Sequence, residues 1–354
     1  MPDPNYALLH LAKRGHKHFN VPLIPTLAYL RRMIYYSAAL LIGFLVLFKS
    51  ADQFVIGSVA TARNFNISPT VIGLTIVALG TSAPEIFVSV ISSMQGQPQL
   101  AIGNAIGSNI ANIGMVLGVT AIFVPLKFRV DILRNDVPIM VFVILCAGAA
   151  LIDYHLGRWD GLLLFIGLVI FLFRLAAEHR KSTKMEIAAE IQELSEIPAM
   201  TNTRAVATFM LSLVFLLLAS ELLVWAVANI AHLLGISELL IGLTVIAVGT
   251  SLPELVVSMT SALKNQTDMA IGNIVGSNIF NMLAVLAIPC VLSPTAVSSE
   301  LLWRDYTLML GLTLLLVFFA YQAKTESTIT RAKGALLVGI WLGYLVFLYQ
   351  TSLQ

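Results

Sequence analysis

The sequence predicts an all-α polytopic membrane protein: about ten transmembrane helices in two inverted five-helix repeats, with helices 2 and 7 broken. Three observations carry this reading: an apolar composition, apolar runs of helical length, and an internal duplication. Of the 354 residues, 58% are hydrophobic and only 11% are charged, against roughly 45–50% and about 25% in soluble domains. A hydrocarbon core takes roughly 20 apolar residues per helical crossing, so ten crossings leave short connections and no room for a separate soluble domain. The runs lack the period-2 alternation of barrel strands. A net charge of +2, from 21 basic and 19 acidic residues, supplies no field for nucleic acid. Cys146 and Cys290 stand alone in apolar runs, which excludes a disulfide framework or a zinc site.

In chain order, breakers and charges place spans at 34–62, 70–94, 100–123, 137–152, 160–176, 205–233, 239–263, 269–292, 305–321 and 334–350. Residues 1–33 form an N-terminal extension, 34–176 a first repeat, 177–204 a cytoplasmic linker and 205–350 a second repeat. The linker is the one long polar stretch, EHRKSTKMEIAAEIQELSEI followed by Pro198. Residues 50–117 align with 219–286 at a constant offset of 169, and 23 of the 41 positions from Ile72 to Asn112 are identical. Lipid-facing hydrophobicity alone does not match Gly, Thr, Ser, Asn, Pro and Glu in register. A unit of five spans is odd, so its second copy enters from the opposite side, the inverted-repeat plan of many secondary transporters.

Basic residues orient the chain. With the first helix starting outside, and Lys49 within the first span set aside, 13 Lys and Arg of the body fall inside and two, Arg158 and Arg304, fall outside. Both ends then lie on the outer face. The first 32 residues add Lys13, Arg14, Lys17, Arg31 and Arg32 to that face, against the rule. Translation from Met33, where the first apolar span opens, is the expectation that removes the conflict; an amphipathic tail on the membrane surface is the alternative.

The chemistry sits in matched motifs. Gly-Thr-Ser-x-Pro-Glu interrupts spans 2 and 7 at Gly80–Glu85 and Gly249–Glu254. Pro has no N–H and crowds the carbonyl four residues back, and Gly loosens the turn. Carbonyls released at that depth must be satisfied by protein, water or a bound cation. Ser82-x-x-Glu85 and Ser251-x-x-Glu254 also read as capping boxes with an early Pro. A Gln would cap equally well, without the cost of burying a charge, about 2.5–3.5 kcal/mol at mid-bilayer. Thr81 and Glu85 share a helix face at i, i+4, and inversion sets Thr250 and Glu254 opposite. Ser108 with Asn112, and Ser277 with Asn281, repeat the spacing on spans 3 and 8, where Gly103, Gly107, Gly272 and Gly276 permit close backbone approach. Oxygen ligands with two negative charges select a hard cation such as Ca2+; one Ca2+ or two Na+ balance that charge equally. Asp52 and Glu221 form another matched acidic pair, expected to bond to backbone or line an entrance. The six histidines have no repeat partner.

These paired GTSxPE and GNxxGSNxxN segments resemble the two α-repeats of the cation/calcium exchanger superfamily, which includes the sodium/calcium exchangers. The likeness covers residues 34–350 and is closest to bacterial members without a large regulatory loop. It implies a multi-pass plasma-membrane (bacterial inner-membrane) antiporter exchanging Ca2+ for Na+ by alternating access. It is not an enzyme and needs no cofactor or obligatory protein partner. By the resemblance, Glu85 and Glu254 are the central Ca2+ ligands, assisted by backbone oxygens of Thr81 and Thr250. Sodium positions add Ser108, Ser277 and the carbonyls of Ala78 and Ala247, with Ser82 and Ser251 close by, and Asn112 and Asn281 line the middle. The first and sixth helices slide across the rest. Many calcium-selective members carry Asp where Asn281 stands; here both repeats have Asn, so the formal site charge is −2. That bears on stoichiometry, on K+ dependence and on the coupling ion. The rivals are a Ca2+/H+ or K+-dependent exchanger and a passive cation channel, though channels more often use rings of carbonyls or acids.

Overall fold

The computed structural model describes residues 23–65, 67, 69–181, 199–234, 247–321 and 327–352. The helices of the first half are α1 (Leu23–Phe65), α2 (Gly73–Thr81), α3 (Ala83–Met94), α4 (Pro98–Phe123), α5 (Ile132–Leu151) and α6 (Arg158–Lys181). Those of the second are α7 (Asn202–Leu233), α8 (Ala247–Thr250), α9 (Leu252–Leu263), α10 (Thr267–Leu292), α11 (Leu301–Tyr321) and α12 (Arg331–Ser352). Among the described residues, eight unbroken helices are long and apolar enough to cross a membrane, and the pair α2 and α3, bent by 49° at its break, is together long and apolar enough for a ninth. The first half of the seventh expected span, through residue 246, lies outside the described residues, as does most of the expected linker.

Both breaks fall where Pro and Gly place them. Ser82 and Ser251 leave helical geometry, with ψ near 9° and 6°, and Pro84 and Pro253 stand in the first turns of α3 and α9. There the missing N–H costs nothing. The capping-box expectation is corrected: neither serine caps its half-helix through its side chain. The helices of spans 3 and 8 are also irregular, each widening into i→i+5 turns over Asn112–Leu117 and Asn281–Val285. Such bulges gather at functional sites.

The expectation of an all-helical chain needs one amendment. Two antiparallel ribbons join connections of opposite repeats: β1 (Leu126–Phe128) pairs with β4 (Ser327–Ile329), and β2 (His155–Leu156) pairs with β3 (Thr295–Ala296). They settle the topology by parity. Paired strands lie on one face of the membrane, so an even number of crossings separates each pair. Between β2 and β3 run α6, α7 and α10 together with α9 of the seventh expected span, four crossings in the expected plan. β1 and β3 stand at repeat-matched positions, 126 and 295, yet five crossings apart, hence on opposite faces. The repeats are inverted. Same-face contacts agree, among them Asn64 Nδ2 to the Met200 carbonyl at 3.0 Å, Arg174 to Asp136 at 3.1 Å, and Trp303 Nε1 to the Tyr154 hydroxyl at 2.9 Å.

Two hydrophobic cores hold the bundle. The larger joins α4, α5, α6, α10 and α11. The smaller belongs mainly to α1 and α7, which pack through Leu47, Phe54, Val55, Phe209, Leu216 and Leu223. They pack closely at Gly57, where a Cβ would lie 2.6 Å from the Phe209 backbone nitrogen; the Phe54 and Phe209 rings stack with centroids 4.9 Å apart. Helix α1 runs through residue 33 without a break, so the expected extension has no structural boundary there.

Candidate functional site

The half-helices α3 and α9 begin at the breaks and bring their first-turn carboxylates, Glu85 and Glu254, into the interior, both fully buried. They lie close enough to repel one another. Among the described residues, no Lys, Arg or His pairs with either. Burying an unpaired carboxylate is among the costliest acts open to a fold, and here two stand together.

Neutral oxygens surround them. Ser82 Oγ crosses the repeat interface and donates to Glu254 Oε1 at 2.9 Å. The serine expected to cap its own helix is therefore spent on the other repeat's carboxylate. Thr81 and Ser277 also neighbour Glu254, and Ser108 neighbours Glu85. Thr81, Ser82, Ser108, Asn112, Thr250, Ser251, Ser277 and Asn281 are all buried. Several of these polar atoms have no hydrogen-bond partner: both carboxylate oxygens of Glu85, Oε2 of Glu254, the hydroxyls of Ser251 and Ser277, and both amide atoms of Asn112 and Asn281. A buried polar atom left unmatched costs about 1–3 kcal/mol, and native folds keep few. So many in one place, mostly oxygens and anchored by two anions, fit a hard cation that takes 6–8 oxygens in flexible geometry.

The carbonyls behave less simply than expected. That of Gly249, left without its usual donor by Pro253, accepts the Ser220 hydroxyl at 3.0 Å. That of Ala78 accepts the Ser82 N–H at 3.0 Å and lies 3.3 Å from the Thr81 hydroxyl. Ala247 opens α8, and its side chain lies outside the described residues. Of the four expected close-approach glycines, Gly276 is the one shown against backbone: a Cβ there would lie 2.7 Å from the Leu74 carbonyl oxygen. Among the described residues nothing crowds Gly103 or Gly107; the segment matching Leu74, near 243, is not described.

Asp52 and Glu221 stand apart from this cluster. Asp52 forms an ion pair with Lys264 at 2.7 Å, both side chains partly exposed, and Glu221 is exposed. The sequence reading also missed two participants. Asn273 accepts the Thr81 hydroxyl at 3.1 Å and donates to Ser258 Oγ at 3.0 Å, and its repeat counterpart Asn104 donates to the backbone carbonyl of Glu85 at 3.2 Å. The signal was present, since 104, 108 and 112 are spaced by four, as are 273, 277 and 281, and the stripe simply extends one turn further.

Comparison with known proteins places this geometry. The model of the sodium/calcium exchanger protein family matches residues 35–176 and 204–350. The putative antiporter CaxA of Alkalimonas amylolytica is 40% identical over 321 residues, 90% of this chain and 100% of that one. Sodium/calcium exchanger MaX1 of Methanosarcina acetivorans is 31% identical, over 88% of this chain and 97% of its own. The solved structure of the sodium-calcium exchanger NCX_Mj, soaked with 2.5 mM Na+ and 0.1 mM Ca2+, superposes with a TM-score of 0.76 at 32% identity, covering 88% of this chain and 98% of that one. With matched broken helices, inverted repeats and a family model that spans both halves, the chain belongs to the sodium/calcium exchanger protein family, a family of membrane transporters.

Proposed function

We propose that the protein exchanges Ca2+ for Na+ across the plasma membrane by alternating access, at the site between the two breaks. The carrying observation is the buried set of unpartnered oxygens around Glu85 and Glu254. Two carboxylates offer charge for one Ca2+ or two Na+, so the ions compete for the same oxygens and leave in turn. Glu85, Glu254, Ser82, Ser251, Ser108, Ser277, Asn112 and Asn281 hold the ions in this reading, with backbone oxygens of Thr81, Thr250, Ala78 and Ala247. Inversion of the repeats gives two states, related by a pseudo-two-fold axis in the membrane plane, that expose the site to opposite faces. The smaller core, shared mainly by α1 and α7, supports a pair that slides over the remaining bundle. The distribution of Lys and Arg orients both ends outward.

A second reading has one observation in its favour. Two buried carboxylates without a basic partner can be neutralised by protons as well as by Na+, which makes Ca2+/H+ exchange the rival. Uptake of radioactive Ca2+ into proteoliposomes under imposed Na+, K+ and H+ gradients, each in turn, decides between them. Sodium-driven uptake is expected. Uptake driven by a proton gradient alone would overturn sodium coupling, and flux indifferent to every gradient would replace the antiporter with a passive pathway.

Residue 281 offers a finer test. Asn281→Asp adds a third carboxylate to a pocket of two, which shifts the balance between monovalent and divalent occupancy. Its Ca2+ exchange is expected to change in Na+ dependence, in pH dependence or in both. A profile matching the unmodified protein over Na+ and pH would place residue 281 outside the ion pathway.

A further inference from the structure

Repeat-matched residues should make matching contacts if the two halves were in equivalent states, and they do not. Asn273 reaches across to the first break, taking the Thr81 hydroxyl on Oδ1 at 3.1 Å while its Nδ2 is held by Ser258 at 3.0 Å. Through these two bonds Asn273 ties the Thr81 side chain at the first break to Ser258 on α9. Asn104, at the matching position, stays within its own repeat on the Glu85 carbonyl, and Ser89, the counterpart of Ser258, donates elsewhere, to the Val285 carbonyl at 2.7 Å. A further pair shows the same asymmetry: Ser82 binds Glu254, whereas Ser251 and Glu85 leave their oxygens unpartnered.

We propose that Asn273 and Asn104 are positioning residues that act in alternation: Asn273 orients Thr81 for ion binding in the access state seen here, and Asn104 orients Thr250 in the opposite access state. The pair carries no charge and coordinates nothing itself. Each sets a break in place when its own state is occupied and releases it when the other forms. This rests on the alternating-access reading above, and it goes further by assigning two residues outside the ligand set to opposite faces of the membrane.

The test uses full-length protein in proteoliposomes of uniform orientation, with Ca2+ exchange measured from each face separately. Asn273→Leu is expected to raise the Ca2+ concentration for half-saturation about fivefold or more from one face, the scale of one buried hydrogen bond, without raising it from the other. Asn104→Leu is expected to do the same from the opposite face. In the double variant Thr81→Val/Asn273→Leu, the effect should not exceed that of Thr81→Val alone, because Asn273 acts through Thr81. If a Leu variant does not fold, Asn→Ser at the same position, which keeps a small polar group, is read in its place. Equal rises from both faces, both variants acting on one face, or a fall in maximal rate alone would overturn the inference while leaving the exchanger reading intact. An unmodified protein that moves no Ca2+ overturns both.

Discussion

Glu85→Gln and Glu254→Gln are each expected to reduce Ca2+ uptake to the level of empty vesicles, with the protein still folded and extractable as a single species. The physical reason is that the same group supplies both the ligand atoms and the charge of the site. Amidation halves the formal charge from −2 to −1 and replaces an acceptor oxygen with an NH2 that points hydrogens at the cation. The two positions differ in detail. Glu254 keeps one oxygen on Ser82 and offers Oε2, whereas Glu85 offers both oxygens, so Glu85→Gln removes more of the available coordination. Folding does not suffer in the same way, because no cationic partner is orphaned and each change removes a buried charge costing about 2.5–3.5 kcal/mol at mid-bilayer. Thermal melting without Ca2+ should therefore hold steady or rise in both variants, while the stabilisation that Ca2+ confers on the unmodified protein should vanish. Near-normal uptake by either variant would mean that the cation binds elsewhere.

Much of this site is legible in the sequence because its determinants are local. Pro84 and Pro253 cannot continue a preceding helix but can open a new one, and the i, i+4 spacing of Thr81 with Glu85 and of Ser108 with Asn112 fixes which side chains share a face before any packing is known. The inverted plan is legible for a different reason: an odd number of spans per repeat leaves no other choice. What escapes the sequence depends on partners far along the chain. The ribbons are two or three residues long, too short to show alternation, and each strand finds its mate in the other repeat. The use of Ser82 is ambiguous from spacing alone. A capping serine and a serine aimed at Glu254 look identical until the second break is placed beside the first. The wide turns beginning at Asn112 and Asn281 have no local signature either, since a π-type turn is selected by what packs around it and not by propensity.

Gly276→Ala is expected to unseat α10 from α2 and to cost both stability and transport. A Cβ at residue 276 would lie 2.7 Å from the Leu74 carbonyl oxygen, 2.8 Å from Ala78 Cβ and 3.0 Å from Leu74 Cα. Two of these neighbours are backbone and the third is a Cβ, so no side-chain rotation relieves the clash and the helices must separate. The same interface is tight about two turns away along α10, where a Cβ at Gly73 would lie 3.0 Å from the Met269 carbonyl, so a local shift has nowhere to go. Close packing of small residues is the main source of helix association in a bilayer, and overpacking of such a contact typically costs about 1–3 kcal/mol or more. The functional consequence follows from register. Asn273 and Ser277 flank residue 276 on α10 and face Thr81 and Glu254, so a helix pushed outward carries them away from the breaks. Gly311→Ala serves as the control, because nothing lies within 4 Å of a Cβ at that position and Ala favours the helix by about 1 kcal/mol over Gly. Melting temperature in detergent and Ca2+ uptake in proteoliposomes are measured for both: Gly276→Ala should fall in each, Gly311→Ala in neither. A Gly276→Ala protein that melts and transports like the unmodified one would show that α10 and α2 do not meet as described, and the convergence of the two half-sites would fall with that contact.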